Sequence, residues 1–88
     1  MITKKFVIKN EHGLHARPAS LFCSMASKFK SDIKVKREGK NMEANGKSVI
    51  SILMLEIYPG SIIEISANGV DEVITLNAIT ALINSNFE

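Results

Sequence analysis

The sequence predicts a two-layer α+β domain in which helices cover one face of a small antiparallel sheet. Three observations carry this expectation. Asp32-Ile33-Lys34-Val35-Lys36-Arg37 alternates apolar and charged residues with the period of a half-buried strand. Turn signals at Glu38-Gly39, Asn45-Gly46, Pro59-Gly60 and Asn68-Gly69 cut the chain into strand-length and helix-length pieces. Those pieces read βα-ββα-βα, and strands with one charged face call for a sheet covered on a single side.

The elements follow in order. Lys5-Phe6-Val7-Ile8-Lys9 is rich in β-formers and predicts a first strand over residues 2–8. Asn10-Glu11-His12-Gly13 is a loop, and a helix is expected over 16–28. There Ala19, Phe22, Cys23, Ala26 and Phe29 form one apolar stripe, with Ser20, Ser24, Ser27 and Lys28 opposite. After strand 32–37, Lys40 to Ala44 returns as its hairpin partner, and Lys34 and Lys36 are read as edge charges that discourage edge-to-edge pairing. Ser48 caps a short helix over 49–55, apolar nearly all round. A helix this short cannot bury every one of those side chains, so an exposed patch of Val49, Ile50 and Leu53 is expected, and such patches mark interaction sites. Ser61 to Ala67 is the last strand, with Ile63, Ile65 and Ala67 on one face. Asp71-Glu72 open a final helix whose buried face is read as Val70, Val73, Ile74, Ala78, Ile79, Leu82 and Ile83, fraying by 84–86.

Composition narrows the function. Eighty-eight residues make one domain, with 45% hydrophobic and 23% charged residues, ordinary for a soluble globular protein. No apolar run is long enough to span a bilayer and no signal peptide is apparent, so a cytoplasmic location without membrane insertion is expected. A net charge of +2 and five scattered aromatics give neither a basic face nor a stacking platform, which argues against nucleic acid. The single cysteine, Cys23, lies on the helical stripe and reads as a small buried hydrophobe. A hydrolase is disfavoured because no second catalytic group accompanies the histidines and no serine sits in a nucleophile-elbow context.

Chemistry concentrates in Gly13-Leu14-His15-Ala16-Arg17-Pro18-Ala19-Ser20. An imidazole stands just ahead of a helix, a guanidinium follows two residues later, and a proline fills the first turn, where its missing N–H costs nothing. The orphan N–H groups and the dipole of a helix start favour an anion. His15 is therefore placed to take up a phosphoryl group as a nucleophile, with Arg17 as cationic partner.

That stretch, continued by Ala26-Ser27-Lys28-Phe29, resembles the active-site signature of the HPr family, histidine-containing phosphocarriers of the bacterial phosphoenolpyruvate-dependent phosphotransferase system. Lys47-Ser48-Val49-Ile50-Ser51-Ile52-Leu53-Met54-Leu55 resembles the family's second signature, around its regulatory serine. The resemblance covers essentially the whole chain. It implies an open-faced β-sandwich, a four-stranded antiparallel sheet covered on one face by three helices (βαββαβα). It also implies a carrier rather than a true catalyst: His15 forms a pros-type phosphohistidine from phosphorylated enzyme I and hands the group to EIIA-type proteins, while Arg17 stabilises its charge. No cofactor or metal is called for, and a monomer is expected.

Ser48, in the same resemblance, is the serine that an HPr kinase/phosphorylase modifies in many bacteria. Phosphorylation there would add negative charge beside the docking surface of Val49, Ile50 and Leu53, to which Ser20 is added; otherwise Ser48 serves only as a cap. His12 either helps hold the phosphate or is simply exposed, and a His12–His15 pair without a carboxylate or thiolate cluster does not make a metal site. The stretch from Glu38 to Ser48, longer than in many sugar-system members, and the ending over residues 81–88 look closer to NPr, the nitrogen-related branch. Sugar uptake and nitrogen-type regulation both stay open. The alternative function is a regulatory module of the same fold that acts by docking under control of Ser48 phosphorylation.

Overall fold

The structure is a computed structural model and describes residues 1–87. Its elements are β1 (Ile2–Val7), α1 (Ala16–Ala26), β2 (Asp32–Arg37), β3 (Glu43–Asn45), α2 (Val49–Met54), β4 (Ile62–Asn68) and α3 (Glu72–Asn84). The four strands form one antiparallel sheet in the order β1-β4-β2-β3. The expected α+β open-faced sandwich is thus present.

Alternation fixes the register. Ile63, Ile65 and Ala67 of β4 are fully buried, and their partners across the sheet include Phe6, Val35 and Ile33, all in the core. Val35 in turn pairs with buried Ala44 of β3. A one-residue slip would bring Lys34, Lys36 and Glu64 to this face. At the β1 margin Lys4 occupies the core-side position opposite Ile65, and its ammonium lies 5.4 Å from the Phe6 ring centre. The helices close the other side with Ala19, Phe22, Cys23 and Ala26 of α1, Ile52 of α2, and Leu76, Ile79 and Ile83 of α3. Each fully buried Ile, Leu or Phe contributes about 1.5–3 kcal/mol. Among the described residues no helix is long and apolar enough to cross a membrane.

Several sequence expectations are corrected. β2 is not an edge: it lies between β4 and β3, so Lys34 and Lys36 mark the solvent face of an interior strand. The return strand is only Glu43–Asn45, because Lys40 folds back through a turn bond to the Arg37 carbonyl. α1 ends at Ala26, two residues before the expected limit. Lys28 and Phe29 bond three residues back, to Met25 and Ala26, which tightens the chain into a final turn and leaves Phe29 half-buried.

The largest difference is the rotation of α3. Val70, Val73 and Ile74, expected inside, are 92%, 59% and 64% exposed, while Thr75 is fully buried. Asp71 explains this. Its carboxylate accepts from the backbone N–H of Lys30 (2.8 Å) and Ser31 (2.9 Å) and from the Ser31 hydroxyl, and Thr75 Oγ1 donates to the Asp71 carbonyl (2.7 Å). The start of the helix is pinned to the α1–β2 connection, and the 75/76–79–83 stripe faces the sheet. The helix ends at Asn84, within the expected range, and the chain then turns. Asn86 and Phe87 take left-handed φ of 56° and 63°, the Phe87 N–H reaches the Leu82 carbonyl (3.0 Å), and the Phe87 ring is buried.

Candidate functional site

The loop that delivers His15 is held from behind. Gly13 has φ +64°, and a Cβ there would overlap the Ile57 carbonyl oxygen and sit 2.9 Å from Tyr58 Cα. Only glycine lets the two backbones approach this closely in that conformation. The Asn10 side-chain amide donates to the Gly13 carbonyl, and the Gly13 N–H returns to the Asn10 carbonyl (3.1 Å). The Leu14 N–H bonds to the Ile57 carbonyl (3.0 Å), and its side chain is buried.

His15 is the N-cap of α1, with φ −79° and ψ −169°, and its side chain makes no capping bond. The imidazole is left free and exposed, while its carbonyl accepts the first helical bond from Ala19 (2.9 Å). Pro18 has no N–H, and its buried ring fixes the first turn. The N–H groups of Ala16 and Arg17 thus have no intrahelical partner, and no acidic residue lies in that turn. Arg17 is exposed and belongs to none of the ion pairs among the described residues. The site is a cationic helix start beside an available nucleophile.

His15 opens onto a shallow cleft of about 290 Å³ shared with His12, Leu14, Leu53, Glu56 and Tyr58. A larger cleft of about 430 Å³, between β1 and the end of α3, is lined by none of these residues. Of the expected docking residues, the structure brings Leu53 to the His15 cleft and leaves Ile50 on the surface, 73% exposed. Val49 is half-buried and packs against the core. Met54, at 54% exposure, joins the apolar surface in its place. Ser20 is exposed on α1, which packs against α2. Ser48 caps α2, its hydroxyl accepting from the Ser51 N–H at 3.3 Å. Cys23 is buried, which pushes its thiol above the ordinary range and keeps it protonated.

One cluster escapes sequence reading. Glu56 follows α2 in the left-handed region, φ 53°, where a non-glycine residue is uncommon. Its carboxylate pairs with Lys40 and accepts from the Tyr58 hydroxyl (3.2 Å). The Lys40 partner holds the Glu56 carboxyl below the usual range, followed by the Tyr58 bond. Arg37 Nε donates to the Leu55 carbonyl (2.8 Å), and its guanidinium lies 6.0 Å from the Tyr58 ring centre. These contacts tie the β2–β3 turn to the far wall of the His15 cleft. No local signal foretells them, since Lys40 and Glu56 are unremarkable surface residues in sequence.

Comparisons with known proteins place the chain in a family. The family model PTS-HPr, described as the PTS HPr component phosphorylation site, matches residues 2–85. The chain is 46% identical over 85 residues to phosphocarrier protein HPr of Mycoplasma genitalium, covering 94% of this chain and 96% of that one. It is 40% identical over 85 residues to phosphocarrier protein NPr of Proteus mirabilis, covering 97% and 93%. A crystal structure of HPr from Thermoanaerobacter tengcongensis superposes with a TM-score of 0.93 at 42% identity, covering 99% and 96% of the two chains. With the fold and the phosphorylation-site family both matched along nearly its full length, this chain belongs to the HPr family of phosphotransferase-system phosphocarriers.

Proposed function

We propose that His15 accepts a phosphoryl group on Nδ1, as a pros-type phosphohistidine, from phosphorylated enzyme I and passes it to EIIA-type proteins. The observation that carries this reading is the α1 start, where among the described residues the imidazole, two N–H groups and the Arg17 guanidinium have no partner and no acid lies in the first turn. The neutral ring nitrogen attacks phosphorus, its P–N bond forming as the donor's bond breaks. The phosphoryl oxygens meet the Ala16 and Arg17 N–H groups and the Arg17 side chain, since phosphoryl transfer depends chiefly on positioning and charge stabilisation. The phosphoramidate remains a good donor, which lets a small protein receive and give without a cofactor.

Docking is assigned to Ile50, Leu53, Val49 and Ser20 beside this site. Phosphorylation of Ser48 by an HPr kinase/phosphorylase would place a dianion at the edge of that apolar surface and oppose docking through charge and desolvation. The stretch from Glu38 to Ser48 and the ending over residues 81–88 support nitrogen-type regulation over sugar uptake, while the relatives include both HPr and NPr proteins. A docking-only regulatory role finds support in the exposure of Ile50 and Met54, but it gives no use to Arg17, which pairs with no acid among the described residues. The test mixes phosphoenolpyruvate, enzyme I and this protein, wild type or His15→Ala, and reads intact mass. One acid-labile phosphoryl group on the wild type alone is expected. Its absence from both folded proteins refutes the carrier reading, and addition of sugar-type or nitrogen-type EIIA then distinguishes the branches.

A further inference from the structure

The cleft at His15 holds a second imidazole. The His12 and His15 rings stand edge to face, their centroids 5.4 Å apart and their planes at 84°. Both side chains are exposed, and both border the same cleft. Among the described residues the one ion-pair contact of His12 is with Glu11, whose Oε1 lies 4.0 Å from His12 Nε2 on a carboxylate that is itself 88% exposed. The pair is not the core of a metal centre, for no third His, Cys, Asp or Glu joins it among the described residues. The cleft that both rings border is the open space beside the His15 ring. An imidazole offers an N–H donor in either charge state, and an imidazolium adds opposite charge.

We propose that His12 is a second phosphoryl-contacting residue, which donates an N–H to a phosphoryl oxygen on His15 and takes a proton from solvent as the phosphate arrives. The contribution of His12 to the phosphorylated form is then greatest at acid pH. The inference rests on His15 being the acceptor. The surrounding charges are consistent with it. Glu11 stands on the loop side, its Oε1 4.0 Å from His12 Nε2. Across the cleft, Glu56 is already neutralised by Lys40 and bonded by the Tyr58 hydroxyl, so it competes little for the proton. Arg17, in the first turn of α1, shares the phosphoryl charge without replacing a donor that comes from the loop. Because the dianion stabilises charged His12, the gain is present at low pH and is lost as pH rises and the ring gives up its proton.

An equilibrium measurement separates this role from docking. Phosphoenolpyruvate, pyruvate, a catalytic amount of enzyme I and this protein are brought to equilibrium, and the ratio of phosphorylated to free protein is read by mass. Enzyme I appears on neither side of that equilibrium, so altered docking cannot shift it. Wild type, His12→Ala and His12→Gln are compared at about pH 6 and about pH 8.5, either side of the ordinary histidine range. At the lower pH His12→Ala is expected to reduce the ratio roughly three- to fivefold, the size of an exposed ion pair. The gap narrows at the higher pH, and His12→Gln matches wild type there while losing the acid advantage. Equal ratios for all three proteins at both pH values overturn the proposal while leaving His15 as the acceptor. A wild type that takes up no phosphate overturns the acceptor reading itself, and the inference with it.

Discussion

Replacing Gly13 with Ala tests how the fold holds the loop that carries His15. Two costs are visible. Gly13 sits at φ +64°, where an L side chain costs roughly 1–2 kcal/mol. The added Cβ would also overlap the Ile57 carbonyl, the acceptor of the Leu14 N–H, so the loop must move and strain or lose a bond worth about 0.5–1.5 kcal/mol. Alanine recovers only about 0.4–1 kcal/mol by restricting the unfolded chain. A net loss of about 2 kcal/mol is expected, read as a lower urea midpoint at unchanged slope and a fall in Tm of roughly 10 °C. Because the displaced loop carries His15, phosphorylation by enzyme I should slow as well. A variant within about 0.5 kcal/mol of wild type, the range of a neutral surface change, would refute the reasoning. It would mean that Gly13 and Ile57 are not pressed together.

Three further perturbations reach other parts of the account. Arg17→Ala should leave the urea midpoint unchanged and slow phosphorylation of His15 by about 10- to 100-fold, the worth of one charged hydrogen bond to the phosphoryl group, as read by rapid-quench kinetics. Ser48→Ala should cost about 0.5–1 kcal/mol in denaturant, the low side of a cap because its bond is 3.3 Å long; Ser48→Asp should retain the stability but raise the enzyme I concentration needed for half-maximal rate. Asp71, whose carboxyl is held down at about 2 by the Ser31 hydroxyl and the Lys30 N–H, binds protons more weakly folded than unfolded. Its stabilisation is therefore complete above the ordinary carboxyl value of 3.8 and disappears as pH falls towards about 2, so Asp71→Asn should flatten the acid limb of the stability–pH curve.

Much of the fold is legible because period and punctuation agree. Ile33 and Val35, then Ile63, Ile65 and Ala67, alternate with polar residues, and all five are buried. Ser48 is readable as a cap because a serine before an apolar run satisfies an orphan N–H by local geometry alone. What sequence conceals is long-range. The rotation of α3 depends on Asp71 reaching Lys30 and Ser31, some 40 residues away, and no periodicity reports that bond. With apolar residues nearly all round α3, pattern alone cannot tell Val73 and Ile74 from Leu76 and Ile79. The same holds at the site. His15, Arg17 and Pro18 are adjacent in sequence and their placement follows from one helix start, whereas the Lys40–Glu56–Tyr58 wall requires the β2–β3 turn and the end of α2 to meet. Where His12 comes to lie is likewise set by Gly13, whose left-handed turn stands between the two histidines.

The central claim is that the phosphoryl group resides on Nδ1 of His15. Protein labelled with nitrogen-15 at histidine, phosphorylated with phosphoenolpyruvate and enzyme I, reports this through phosphorus–nitrogen coupling in NMR. The account predicts a single coupled nitrogen, Nδ1 of His15, with both His12 nitrogens uncoupled. Coupling at His12, or phosphate found on a serine with the His15 ring unmodified, would contradict it.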